Sequence, residues 1–139
     1  MKYANENNTT ITFVPEFEEL SPRDVFDNED DIQAIYAAGI GTCGVIPEWF
    51  CAHVHIEYET EGESFEADNY LGTCSYNSFK EFTTQEDGYY KDMISVCLAE
   101  INRDINSLII TNLKSKLKNR LSDKLTAKIV NKIKRLQTV

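Results

Sequence analysis

An α+β domain is what this sequence predicts: a small antiparallel sheet of about three strands, flanking helices, and a long C-terminal amphipathic helix or helix pair. Three observations carry the prediction. Residues 50–59 (FCAHVHIEYE) and 65–75 read as two strands around ETEGES, with Gly62 near its middle, which is the pattern of a β-hairpin. From Tyr89 onward apolar residues recur at helical spacing, and from Leu113 they recur at every fourth position. A chain of 139 residues is long enough to build one core without a metal or disulfide staple.

The elements follow in order. TITFV at 10–14 alternates well enough for a short strand, which Pro15 should end. Ser21-Pro22 is a helix start, with Asp24 at capping-box spacing. Asn28 is a second cap, and Glu29, Asp30 and Asp31 fall in the positively polarised first turn. Ile32, Ile35 and Tyr36 give that helix one apolar face, and Gly39 stops it. GIGTCGVIPEW is a connecting loop without the spacing or lysine of a phosphate-binding loop. In the first hairpin strand Phe50, Ala52, Val54, Ile56 and Tyr58 share the face that should meet the core. NSFKEF makes a short helix after an asparagine cap, and Asp87-Gly88 interrupts the chain.

The helical spacing that follows runs through Tyr90, Met93, Ile94, Cys97, Ile101, Ile105 and Leu108. After Thr111-Asn112 the apolar set is Leu113, Leu117, Leu121, Leu125, Ile129 and Ile133. A four-residue step overshoots a 3.6-residue turn by about 40°, so this stripe winds around its helix. That is poor for a left-handed two-stranded coiled coil and suits a right-handed helix pair or a helix wrapping a curved surface. Residues 89–137 read equally well as one helix or as two with a break near Asn112. On composition, 1–112 is an acidic α+β domain. Residues 113–139 are a basic amphipathic helix, either part of the same domain or an oligomerisation element.

The net charge of −9 conceals a division. Residues 1–92 hold 20 acids and 4 bases, a balance of −16, whereas 93–139 hold 3 acids and 10 bases, a balance of +7. The start, MKYANENNTT, is not a secretory signal, and no apolar run is long enough to span a bilayer. A cytoplasmic protein without a membrane partner is therefore expected. Cysteines 43, 51, 74 and 97 have no CxxC spacing and are expected to be free thiols.

Three constellations bear on chemistry. On a strand, Cys51, His53 and His55 project to one face, and Cys43 or Cys74 would complete an N/S set acceptable to zinc. Glu57 and Glu59 continue the same row, which favours an ordinary solvated sheet face, so no metal and no cofactor are expected. A hydrolase is disfavoured, because adjacent Cys51 and His53 are not an oriented triad and no GxSxG elbow is present. The second constellation is the acidic run Glu16, Glu18, Glu19, Asp24, Asp27, Glu29, Asp30 and Asp31, which presents complementary charge to a basic groove or imitates a row of phosphates. It lacks the spacing of a calcium-binding EF-hand loop. The third is the basic helix, with Lys114, Lys116, Lys118, Arg120, Lys124, Lys128, Lys132, Lys134 and Arg135 around the apolar stripe, a chemistry that also suits nucleic-acid phosphates. No zinc-finger, helix-turn-helix or RNA-recognition signature accompanies it.

Four short motifs resemble those of small uncharacterised proteins carried by phages, plasmids and other mobile elements. They are S-P-x-D at 21–24, W-F-x-A-x-V at 49–54, D-x-Y-L-G-x-C-x-Y at 68–76 and G-Y-Y-x-D-M at 88–93. The resemblance covers residues 21–96, ends before Leu113, and implies an accessory protein, a class that includes antagonists of host defence. It assigns no functional residue. The combined expectation is a non-enzymatic protein in the host cytoplasm that inhibits a host protein through the acidic residues. Nucleic-acid binding by the basic helix and metal binding at Cys51, His53 and His55 are the alternatives. A homo-oligomer, most simply a dimer, is expected through Leu113, Leu117, Leu121, Leu125, Ile129 and Ile133.

Overall fold

The computed structural model describes residues 1–40 and 44–137. It is an α+β structure with the element order β1 (Thr10–Glu16), α1 (Pro22–Val25), α2 (Glu29–Ala37), β2 (Phe50–Thr60), β3 (Glu63–Cys74), α3 (Phe79–Thr84) and α4 (Tyr89–Gln137). The three strands form one antiparallel sheet in the order β1-β2-β3. By contacts the chain divides into two compact units, Lys2–Asn102 and, together with Met1, Arg103–Val139. Composition draws its boundary ten residues later, at 112/113.

The hairpin turn is Glu61-Gly62, with φ of 49° and 79°. Two successive positive φ values suit a two-residue type I′ turn, whose twist matches that of the flanking strands. The turn sets the register: Thr60 pairs with Glu63, Glu57 with Glu66, His55 with Asp68 and His53 with Tyr70. Near the far end the register shifts, because Gly72 and Thr73 oppose the single residue Cys51 between the pairs Ala52/Leu71 and Phe50/Cys74. Thr73 there takes φ of 56°, an outlier for a β-branched residue. The Glu18 carboxylate accepts its N–H at 2.7 Å. A Cβ on Gly72 would stand 3.1 Å from Glu18 Oε2, so glycine makes room for that carboxylate.

The alternation along β2 places the core as expected: Phe50, Ala52, Val54, Ile56 and Tyr58 are all buried. An aromatic cluster fills the inner face, with Phe50 edge-on to Phe79 at 5.1 Å and to Phe82 at 5.5 Å, and Phe13 5.4 Å from Phe82. Met93, Ile94, Cys97 and Ile101 on α4 are buried, and the Cys97 thiol lies 4.0 Å from the Val54 carbonyl. Asn102 donates to the Ala4 carbonyl and accepts from the Ala4 N–H, which fixes the N-terminal segment to the start of α4.

Both anticipated caps before the hairpin are present. Ser21 and Asp24 form the reciprocal capping box, and the Asn28 side chain accepts from Asp31 N–H. Two expectations need correction, and one open alternative is settled. Strand β1 does not stop at Pro15 but runs through it to Glu16, pairing Pro15 with Ala52. A proline is tolerated because β1 is an edge strand and its missing donor can fall on the unpaired side. The cap of α3 is Ser78, not Asn77: its hydroxyl accepts from Glu81 N–H, while the Glu81 carboxylate accepts from Asn77 N–H. Residues 89–137 form one continuous helix, with no break at Asn112.

Candidate functional site

The open face of the sheet carries the polar half of each strand's alternation. Along β2 these residues are Cys51, His53, His55, Glu57 and Glu59; Val14 and Glu16 flank them on β1, and Glu66, Asp68 and Tyr70 on β3. The two imidazoles lie at the centre of this face, and their side chains are only 15% and 24% exposed. Asp68 reaches both: its Oδ1 accepts from His53 Nε2 at 2.6 Å and from His55 Nδ1 at 2.7 Å. The outer nitrogens also face carboxylates, with His53 Nδ1 3.4 Å from Glu16 Oε1 and His55 Nε2 3.1 Å from Glu57 Oε1. Glu66 Oε2 is 3.8 Å from the same His55 nitrogen. The Tyr70 ring stacks on His53 with centroids 4.2 Å apart and planes 11° apart, which holds the imidazole in orientation.

A neutral imidazole donates from one nitrogen only. The four ring nitrogens face four carboxylates, Asp68, Glu16, Glu57 and Glu66, with Asp68 shared between the two rings. The Asp68 hydrogen bond, followed by that from Glu57, raises the His55 pKa above its ordinary value. Reciprocally, His53 and then His55 hold the Asp68 carboxyl below the usual range.

Of the residues singled out as metal candidates, the structure brings His53 and His55 together and leaves Cys51 out. Among the described residues the ligand-competent groups are His53 with His55 and Asp68, and His55 with Glu57 and Glu66. The Cys51 thiol is pushed up by burial and by the nearby Glu18 and Glu16 carboxylates, the wrong direction for a thiolate ligand. Cys51, Cys74 and Cys97 are free thiols. Burial pushes the Cys74 and Cys97 pKa values to about 11. Cys43, the other suggested ligand, lies outside the described residues. Asp68 escaped sequence reasoning, although Glu61-Gly62 was its signal: a two-residue turn there fixes the pairing that puts Asp68 opposite His55.

The acidic run divides into carboxylates that hold the fold together and carboxylates that face solvent. Glu18 binds the bulge and the Leu20 N–H. Asp24 caps α1. Glu16 faces His53. Glu29 forms a two-pronged pair with Arg23, both contacts at 2.9 Å, and also accepts from Gln33. Glu19, Asp27, Asp30 and Asp31 are exposed, and their side chains have no partner among the described residues.

In the second unit, residues 111–137 are exposed throughout, apolar stripe included. Leu113, Leu117, Leu121, Leu125, Ile129 and Ile133 stand between 48% and 63% exposed, joined by Ile110 before them and Leu136 after them. With those two, eight apolar residues span positions 110–136, about 3.7 residues per step, near the 3.67 of a right-handed supercoil. Among the described residues no helix is long and apolar enough to cross a membrane.

The fold and this face define an α+β protein with a helix-covered inner sheet face and an open one lined by imidazoles and carboxylates. Comparison with family models, with curated proteins and with solved structures finds no match.

Proposed function

We propose that this is a non-enzymatic binding protein of the phage or mobile-element accessory kind, which engages a basic surface on a host protein. One observation carries the reading: Lys2–Asn102 holds 21 acids against 4 bases, a balance of −17, and displays Glu19, Asp27, Asp30 and Asp31 unpaired among the described residues. Carboxylates already committed to structural partners are poorly placed to bind a second molecule. These four keep their charge available, and a field of one sign steers an oppositely charged partner toward them. A groove on this unit is lined by Glu57, Tyr58, Glu59, Ser64, Phe65 and Glu66, which extends the acidic surface onto the hairpin.

The exposed stripe on α4 adds a second element to the proposal, self-association. An amphipathic helix draws most of its stability from packing its apolar face, and 111–137 is exposed along its whole length. A second copy of the chain supplies a matching stripe, so a homodimer through Leu113, Leu117, Leu121, Leu125, Ile129 and Ile133 is the simplest completion.

The test is affinity capture from a host lysate, with and without nuclease, using wild-type protein and a Glu19→Lys, Asp27→Lys, Asp30→Lys variant. Glu18 and Glu29 are left intact because they hold the fold. A nuclease-resistant protein partner that the wild type captures and the variant loses supports the reading. Capture of nucleic acid alone, lost when Lys124, Lys128 and Lys132 are changed to Glu, would instead favour a basic-helix nucleic-acid binder.

A further inference from the structure

We propose that His53, His55 and Asp68 form a binding site for a divalent transition-metal ion on the open sheet face, with Zn²⁺ the closest chemical fit. The site goes beyond the acidic-surface reading and stands or falls separately from it.

The argument begins with the backbone. His53 and His55 are two apart on β2 and so emerge on the same face, and Asp68 sits directly opposite His55 on β3. One donor atom from each of the three lies within 4.8 Å of the others. Zinc bonds to imidazole nitrogen and carboxylate oxygen are about 2.0–2.2 Å. Ligand atoms around one ion then stand roughly 3–3.5 Å apart, so Asp68 Oδ1, now 2.6 and 2.7 Å from the two nitrogens, has to withdraw by less than about 1 Å. Its side chain is 40% exposed and has room to do so.

The surroundings supply what a metal site needs beyond its ligands. Histidines that bind metals almost always donate their other ring N–H to a carboxylate, backbone carbonyl or water, which fixes the tautomer and raises the basicity of the ligating nitrogen. If His53 Nε2 and His55 Nδ1 hold the ion, the nitrogens left over already face Glu16 and Glu57. Tyr70 stacked on His53 fixes the ring further.

The competing group, His55 with Glu57 and Glu66, offers a single nitrogen and two exposed carboxylates. Oxygen-rich sets suit Ca²⁺ or Mg²⁺, whereas two imidazoles and a carboxylate suit zinc and its first-row neighbours. Three protein ligands leave a coordination position open toward solvent.

The test is calorimetric titration of Zn²⁺ into full-length protein stripped with chelator. The expected result is one equivalent bound per chain, with affinity lowered at least tenfold by His53→Gln, His55→Gln or Asp68→Asn and unchanged by Cys51→Ala. Glu16→Gln and Glu57→Gln should each weaken binding by about tenfold or more, the usual loss when such supporting carboxylates are removed. Co²⁺ in the same site should give a spectrum without a thiolate-to-metal charge-transfer band. Circular dichroism checks each variant, and if a histidine variant loses its fold, Asp68→Asn on the exposed face decides. Absence of saturable binding at zinc concentrations on the order of 1 mM would overturn the proposal. Loss of binding in Cys51→Ala or Glu66→Gln with His53→Gln unaffected would overturn it equally.

Discussion

From Phe50 to Tyr58 every inward-facing residue of β2 is buried, while in 111–137 not one apolar residue is. The units that hold them are opposite in charge: −17 in Lys2–Asn102 and, from 10 bases and 2 acids, +8 in 103–139. Strand β2 has spent its inward apolar residues on the core. Residues 111–137 carry theirs on the outside. In the proposed reading, the acidic exterior meets a foreign partner and the uncovered stripe meets its own copy.

The largest expected effect probes the core. Phe50→Ala removes a fully buried ring at the centre of the aromatic cluster and should cost about 3–5 kcal/mol in chemical denaturation. If the helix stripe were equally buried, Leu121→Ala would match it. Here Leu121→Ala should leave the cooperative transition of the acidic unit in place.

A second substitution aims at the helix. Leu121→Asp with Leu125→Asp should weaken self-association by at least tenfold in sedimentation equilibrium, because two carboxylates would enter an apolar seam. Unchanged mass in this variant would remove the stripe from the account.

A smaller difference is expected inside the acidic run. Glu18→Ala leaves the Thr73 N–H without its acceptor at a strained bulge and should cost about 1–3 kcal/mol. Asp30→Asn, exposed and unpaired among the described residues, should stay within about 0.5 kcal/mol. Equal effects would erase the division between structural and available carboxylates.

The smallest effect is a pH dependence of metal-free protein. His55, with its pKa raised, contributes stability that is present below the ordinary imidazole value and lost as pH rises through the raised one. Asp68, with its pKa lowered, contributes stability that is present above the ordinary carboxyl value and lost as pH falls through the lowered one. Melting temperature in chelator should therefore decline on the alkaline side, by the small amount typical of exposed pairs. His55→Gln should flatten that decline.

Local chemistry made much of the fold readable in advance. Ser21 with Asp24, Asn28 as a cap and the alternation of 50–58 each act within a few residues, so spacing alone identifies them. Pro15 misled because its effect depends on whether the strand lies at an edge, which is a property of the whole sheet. The Asn77/Ser78 choice turned on one residue of cap register, where both side chains are competent. The candidate site was half legible. His53 and His55 share a strand and so share a face, whereas Asp68 joins them only through pairing across the turn. The roles of Glu18 and Glu29 were hidden for a related reason. Their partners are Thr73, far along the chain, and Arg23 across a cap, and a charge run on paper does not show which charges are already matched.

The central claim is that the available carboxylates of the acidic unit, and not the bases of the helix, make the contact with a host protein. The most direct measurement compares capture of that partner by wild type, by Glu19→Lys with Asp27→Lys and Asp30→Lys, and by Lys124→Glu with Lys128→Glu and Lys132→Glu, each checked for fold and mass. Exposed charges are screened over about 8 Å at physiological ionic strength, so salt weakens either mode and the sign of the critical residues decides. The account predicts that the acid-to-lysine variant loses the partner and the lysine-to-glutamate variant keeps it. Retention by the first and loss by the second would contradict it.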